Sequence, residues 1–327
     1  TKILSVSFIT FFQNAVKKLN IEENRFLLDE FNEENDLIER AIAKYAHHPS
    51  ILTIRDKIGE NAFPFSFSNI TLEEVDQELS QLDPKKASTF QNIPPKHLKQ
   101  VSDVCNNVLL NLINQSINNQ EFPDELKYAD VTPIFKKGDN TSVANYRPVS
   151  VLPVVSKMYE RIMQKQINCH IEQYLSPYLC GYRKKYSAQY ALLSLIERFK
   201  QMLDSNGYAA AVLMDLSKAF DTLNHELLIA KLHAYGFDKK ALNLIGSYLK
   251  NRWQRTKINK SFSTWTELLL GVPQGSVLGP LLFNIYLNDL FWINEQTSVC
   301  NFADDTTFYS CNQDLESVLQ RLEHDTM

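Results

Sequence analysis

With 327 residues, 44% of them hydrophobic and 11% aromatic, the chain can bury a large core, which excludes a disordered or low-complexity protein. Its formal charge of −4 is unevenly placed: residues 1–83 hold 8 basic against 15 acidic side chains, residues 84–327 hold 26 against 23, and residues 134–200 alone hold 11 against 4. Five cysteines with no C-x-x-C spacing argue against a zinc or disulfide framework and fit a reduced intracellular setting, and no apolar run approaches the roughly 20 residues of a membrane span. A single basic run is ordinarily a solvated face, but a whole basic segment beside an acidic cluster suggests phosphate binding.

Residues 1–68 read as an acidic, irregular connector with helical patches near 8–19 and 36–45. The apolar stretch at 3–12 has no small-residue cleavage site after it, so it reads as an internal helix rather than a secretory signal. A helix starts at Thr71, where Thr71 and Glu74 make a capping box ahead of Leu72, Val75, Leu79 and Leu82; Asp83-Pro84 ends it. A second helix is expected from about Pro95, with Leu98, Val101, Cys105, Val108 and Leu112 as its stripe. Strands follow at 130–135 and at 209–216, the latter a continuous apolar run typical of a buried central strand. Helices are expected at 225–235, 240–251 and 280–290, where Pro280 suits a helix start, and residues 299–309 read as two short strands around Asp304-Asp305. The fold class is therefore α+β, with helices packed on one face of an antiparallel sheet.

Three features carry chemistry: Asp215 at the end of an apolar strand, Asp304-Asp305 in an apolar hairpin, and Gly271-Val272-Pro273-Gln274-Gly275 between them. Adjacent aspartates in a regular strand point to opposite faces, so only a tight turn aims both at one site. If the two acidic strands are neighbours, two or three carboxylates converge, repelling by roughly 1 kcal/mol per pair in water and about 4 kcal/mol near a protein surface. Hard oxygen donors without Cys or His nearby then suggest Mg²⁺, with two ions as the arrangement suited to phosphoryl transfer.

Phe302-Ala303-Asp304-Asp305 resembles the catalytic box of reverse transcriptases, in the form usual for non-LTR retrotransposons. Residues 214–221 resemble that family's first aspartate motif, residues 271–280 its Pro-Gln-Gly motif, residues 133–139 and 145–150 its fingers motif, and Gly181-Tyr182-Arg183 the next one. The five occur in family order, and the chain is identified as resembling LINE-type, Jockey-like reverse transcriptases. Near residues 88–95 the likeness is loose, because Thr89-Phe90-Gln91-Asn92 stands where related chains carry a Gly-x-Asp-Gly turn.

The resemblance implies a right-hand polymerase: a connector at 1–68, a helical extension at 69–115, and a reverse transcriptase domain at 116–327. Fingers would occupy about 116–205 and the palm, an antiparallel sheet backed by helices, about 206–327, with the thumb absent because only 22 residues follow Asp305. It further implies RNA-directed DNA synthesis on an RNA template and a DNA primer, with an endonuclease domain upstream in the full-length protein. Asp215, Asp304 and Asp305 would be catalytic and, with the Leu216 carbonyl, would hold two Mg²⁺, or Mn²⁺ in their place. Lys136, Lys137 and Arg147 would grip the triphosphate, Gln274 and Gly275 would position the dNTP, and Arg183 and Lys184 would touch the template, with Lys185 beside them. Phe220, five residues after Asp215, would exclude a ribose 2′-hydroxyl; by periodicity alone it reads as a core aromatic. An RNA-dependent RNA polymerase would carry a polar residue there and Gly-Asp-Asp at the turn. A binding-only remnant of the same fold is the alternative from a different class.

Other motifs fail on inspection. His225-Glu226 begins a zinc-like pattern, but Ile229 stands where the second histidine belongs. Ser276 lacks a nucleophile elbow, and no Walker lysine follows a Gly-rich turn.

Overall fold

The described part of the acidic N-terminal region contributes to the core. The computed structural model describes residues 7–8, 10, 34–59, 63–86, 88–89, 93–215, 219–294 and 296–326. Helices α1 (Glu34–Lys44) and α2 (Pro49–Ile58) pack against α8 (His225–Ala234). Ile38, Ala41 and Ile54 join the main hydrophobic core, and Lys44 pairs with Glu226 at 2.7 Å. Residues 34–58 are thus an integral layer rather than an irregular connector. The remainder of the helical patch expected at 8–19, beyond Phe8 and Thr10, lies outside the described residues.

Helix α3 (Leu72–Ser80) starts at Thr71, and the capping box forms: Glu74 Oε2 accepts from the Thr71 N–H at 2.9 Å. The second predicted helix is two helices, α4 (Pro95–Gln100) and α5 (Ser102–Asn119), broken at Val101. The break rotates the buried face. Leu98 stays inside, but Val101 and Val108 are exposed, and Leu109, Ile113 and Ile117 form the true stripe. Restarting the helix at Ser102 shifts the 3.6-residue phase by one position, which moves the predicted stripe towards solvent.

Two sheets follow. The first holds β1 (Tyr128–Phe135), β2 (Tyr146–Val151), β4 (Arg252–Ile258), β5 (Ser261–Phe262) and β6 (Thr266–Leu268) in the order β2-β1-β4-β5, with β6 also on β4. Strand β4 pairs in parallel with β1, Tyr128 opposite Trp253 through Val131 opposite Thr256. Residues 252–268 therefore return to the sheet begun at 128, and the boundary expected near 205 does not separate the sheets. Pattern alone missed β4 because its basic residues interrupt the apolar alternation. Arg255 is nevertheless held there, bonded to Asp130 at 2.8 Å and stacked between Phe262 and Trp265.

The second sheet is antiparallel, in the order β3 (Tyr208–Asp215), β8 (Asp305–Asn312), β7 (Ser298–Phe302). The buried central strand is β8, and β3 is an edge. Helices α7 (Ala188–Asp204) and α12 (Leu315–Thr326) cover its middle, but Leu213 is 80% exposed at its end. A continuous apolar run signals cover on both faces only as far as the covering helices extend.

The core centres on α6 (Val154–Ile171), whose Met158, Tyr159, Met163 and Ile167 are fully buried. Around it lie α8, α9 (Lys239–Leu249), α10 (Leu278–Leu287) and the short α11 (Leu290–Ile293). Helix α10 starts at Leu278, so Pro280 falls in its first turn, where a missing N–H costs nothing.

One buried charge pair crosses this layer. Lys231 on α8 bonds Asp289 and the Tyr286 carbonyl. Burial pushes the Lys231 ammonium down in pKa and Asp289 pulls it back up. Asp289→Ala leaves that cation unpaired and is expected to cost about 3–5 kcal/mol, read as a lower urea midpoint. Replacing both partners, as Lys231→Met with Asp289→Leu, is expected to recover most of the loss; a double variant no better than Asp289→Ala contradicts this account.

Candidate active site

The β3–β8 ladder runs Tyr208 opposite Asn312 to Asp215 opposite Asp305, and Phe302 pairs with Asp305 across the neighbouring hairpin. Directly opposed residues in an antiparallel pair share one face, with Cβ atoms about 5 Å apart. Asp215 and Asp305 are therefore side by side and exposed, while half-buried Asp304 sits with Ala303 in the two-residue turn. Ala303 adopts φ +61, a left-handed conformation that a two-residue hairpin demands. Buried Asn301 holds that turn closed: its Nδ2 donates to the Ala303 carbonyl at 2.9 Å, the Asp305 carbonyl at 3.2 Å and Thr306 Oγ1 at 2.9 Å.

No ion pair to the three carboxylates exists among the described residues, and there no trio of Asp, Glu, His or Cys stands already gathered for a metal ion. The donor chemistry still fits a hard divalent cation. Only carboxylate oxygens are offered, they open to solvent, and their mutual repulsion has no cationic partner there. Leu216, the fourth ligand expected, lies outside the described residues.

A loop at residues 175–183 presses on this hairpin. Asn301 N–H donates to the Tyr178 carbonyl and Cys180 N–H to the Asn301 carbonyl, both at 3.0 Å. A side chain at Gly181 would put its Cβ 2.3 Å from the Ala303 nitrogen, so only glycine permits this approach. Asn284 on α10 fixes the other side, its Nδ2 donating to the Gly181 carbonyl at 2.8 Å. Next in the loop, Tyr182 stands at φ +57 with its ring edge against Phe220, 5.7 Å between centroids at 86°. Burial raises the Tyr182 phenol's pKa, the Asp304 charge adds to this, and Arg147 opposes it. Tyr182 thus lies between the acidic turn and the first sheet.

Arg183 does not face outward. Its Nη1 donates to the Ser176 and Leu179 carbonyls at 2.6 and 3.0 Å, its Nη2 to Glu172 Oε1 at 2.7 Å, and it stacks on Tyr186 at 4.3 Å. The guanidinium is a loop staple, engaged by partners four to eleven residues away. Lys184 beside it is exposed, as the sequence suggested.

The Pro-Gln-Gly loop ties β2 to residues 220–223. The Ser150 N–H on β2 donates to the Gln274 carbonyl at 2.7 Å. Gly275 stands at φ +117, where a Cβ would meet the Ser150 oxygen at 2.6 Å. On the other side Gln274 Nε2 donates to both Asp221 carboxylate oxygens, at 2.9 and 3.0 Å, and Val272 N–H donates to the Phe220 carbonyl at 2.8 Å. Phe220 itself stacks on Phe283 at 4.8 Å. Arg147 lies opposite Ile134 near the end of the β1–β2 pair, with Lys136 and Lys137 just beyond; all three are exposed and in no ion pair among the described residues.

Sequence reasoning missed Asn301, Asn284 and Asp221. The signal was present for Asn301, an amide inside the apolar run Val299-Cys300-Asn301-Phe302, and for Asn284, an amide inside the apolar helix 278–287; for Asp221 it lay only in its motif. His225, set aside as a failed zinc pattern, is a tether: its Nε2 bonds the Gly271 carbonyl at 2.7 Å. Since a carbonyl only accepts, Nε2 carries the proton of a neutral ring. The start of α10 is held similarly, by buried Glu160 accepting from the Val277 and Leu278 N–H groups at 2.6 and 3.1 Å.

Residues 134–325 match the family model described as "Reverse transcriptase (RNA-dependent DNA polymerase)". The chain is 30% identical over 254 residues to the "Probable RNA-directed DNA polymerase from transposon BS" of Drosophila melanogaster, covering 74% of this chain and 28% of that relative. It is 27% identical over 282 residues to the "RNA-directed DNA polymerase from mobile element jockey" of the same species, covering 82% and 31%. It therefore spans about 30% of the length of these curated relatives.

The His225 tether has a pH signature. Full burial lowers its pKa to about 4, against an ordinary 6.5. The unfolded chain binds the proton first, so the contribution is complete above about pH 6.5 and is lost as pH falls towards 4. Between pH 7 and pH 5 the chain is expected to lose roughly 2 kcal/mol of stability through this ring. Urea titrations at both values check it: His225→Gln should flatten that slope, and an unchanged slope counts against a buried, neutral His225 ring.

Proposed function

Because this chain belongs to the reverse transcriptase family, we propose that it forms the polymerase core of a non-LTR retrotransposon enzyme that copies an RNA template into DNA. In this reading the first sheet and its helices are the fingers, and the three-stranded sheet is the palm. The observation that carries it is the register that sets Asp215 opposite Asp305, with Asp304 in the adjoining turn.

Asp215, Asp304 and Asp305, with the Leu216 carbonyl, would hold two Mg²⁺, or Mn²⁺. When bound, such ions supply Lewis acidity, making a primer hydroxyl more acidic and screening phosphate charge. The residues of this chain do the rest. Arg147 offers a planar fork to the triphosphate oxygens, with Lys136 and Lys137 as flexible point charges beside it. Gln274, its Nε2 engaged by Asp221, turns its carbonyl oxygen towards the nucleotide as an acceptor. Gly275 lets the backbone come close to the nucleic acid. Phe220, backed by Phe283, occupies the volume a 2′-hydroxyl would need, selecting dNTPs. The primer 3′-oxygen then bonds to the α-phosphorus as the bond to the β-phosphate oxygen breaks, releasing pyrophosphate. Lys184 is the remaining candidate for a template phosphate. An endonuclease domain upstream in the full-length protein belongs to the same proposal.

Primer extension on an RNA template with Mg²⁺ tests this reading. Asp304→Asn is expected to lower incorporation by at least about 10³-fold, the scale on which electrostatic catalysis operates. Phe220→Val is expected to admit ribonucleotides. Undiminished synthesis by Asp304→Asn would falsify the metal-ligand role, and tight RNA–DNA binding with no incorporation by the unsubstituted chain would favour the binding-only remnant.

A further inference from the structure

We propose that Tyr182 is a second specificity-determining residue, bracing the Phe220 ring so that the pair, and not Phe220 alone, excludes a ribonucleotide sugar. This rests on the polymerase reading above. Phe220 has two ring neighbours. Phe283, buried on α10, stacks beneath it at 28°, and Tyr182 meets it edge to face. Phe283 supplies the stacked contact and Tyr182 the perpendicular one, so loss of Tyr182 leaves Phe283 as the one aromatic neighbour of this ring among the described residues.

A 53% exposed tyrosine would ordinarily swing to wherever it buries most surface. Here the backbone on both sides is pinned, which fixes the direction of the Cα–Cβ bond and limits the ring to the few staggered positions open from it. Gly181 is wedged against Ala303 and its carbonyl is held by Asn284; Arg183 is bonded to two carbonyls of its own loop. Between them Tyr182 keeps φ +57, a conformation costly for an aromatic residue and kept only where the surroundings enforce it. In the position it adopts, the ring lies against Phe220. Discriminating against one hydroxyl requires a wall that does not yield, and a ring loosened on one side yields.

Single-nucleotide incorporation by the full chain, on a primed RNA template with Mg²⁺, compares kcat/KM for a dNTP and its rNTP. Tyr182→Ala is expected to reduce the deoxy-over-ribo preference by about tenfold or more, and Tyr182→Phe, which keeps the ring, to stay within about twofold of the unsubstituted chain. Both nucleotides are measured on one preparation, so lost folded protein cancels from the ratio. Equilibrium binding of Mg²⁺-dGTP and Mg²⁺-GTP, read by intrinsic fluorescence, gives the same comparison without turnover. An unchanged ratio in Tyr182→Ala overturns the proposal, even if both KM values rise together, since that describes a plain stacking wall. So does an unsubstituted chain that fails to distinguish the two sugars in either assay. Incorporation that survives Asp304→Asn overturns the metal-ligand role instead, and leaves the sugar ratio readable.

Discussion

The register of β3 against β8 is the constraint on which the site depends. A slip of one residue would carry Asp215 to the other face of the sheet and leave Asp305 alone. That register is fixed away from the acids. Phe308 packs towards α12 with Val299, Val318 and Leu322, while Tyr309 packs the opposite way, towards α7, with Cys180, Cys300 and Ala191. A slip of β3 would turn Ala210 and Val212, which pack against the Phe308 cluster, away from it. Fully burying a side chain of valine's size contributes about 1.5–3 kcal/mol. Two carboxylates about 5 Å apart in water repel by only about 1 kcal/mol. Apolar packing at one end of the strands therefore holds like charges together at the other.

The acidic turn owes its position to backbone contacts more than to side chains. The 175–183 loop meets the hairpin, and the Pro-Gln-Gly loop meets β2 and residues 220–223, through N–H and carbonyl groups, with Gly181 and Gly275 where a Cβ would collide. Buried amides and acids then complete the bonds the loops leave open: Asn301 inside the turn, Asn284 under Gly181, Glu160 at the start of α10. In a low-dielectric interior such satisfied networks specify one geometry, because each broken bond strands a buried polar group. Arg147, Lys136 and Lys137 of the first sheet are left exposed and in no ion pair among the described residues.

Composition, order and local chemistry settled much of this in advance. The motifs around Asp215, Gln274 and Asp304 were legible because each sets unusual residues in an apolar frame, and the Thr71 capping box because it is a four-residue interaction. Where the reading failed, the deciding partner was distant in sequence. The stripe of α5 depends on a break at Val101, and the cover over β3 on where α7 and α12 stop. Arg183 is taken up by Glu172 and by carbonyls brought near it by the loop's fold, and β4 finds its parallel partner more than a hundred residues earlier.

By itself the sequence determined which chemical groups are present, their order along the chain, and that two acidic segments emerge from apolar strands. Tertiary structure alone decided that Asp215 lies across from Asp305, that Tyr182 is locked against Phe220, and that the acidic N-terminal helices are core. The physical reason is range. Capping, turns and strand alternation are set by neighbours within a few residues, whereas register and burial are set by whichever distant surfaces exclude water together.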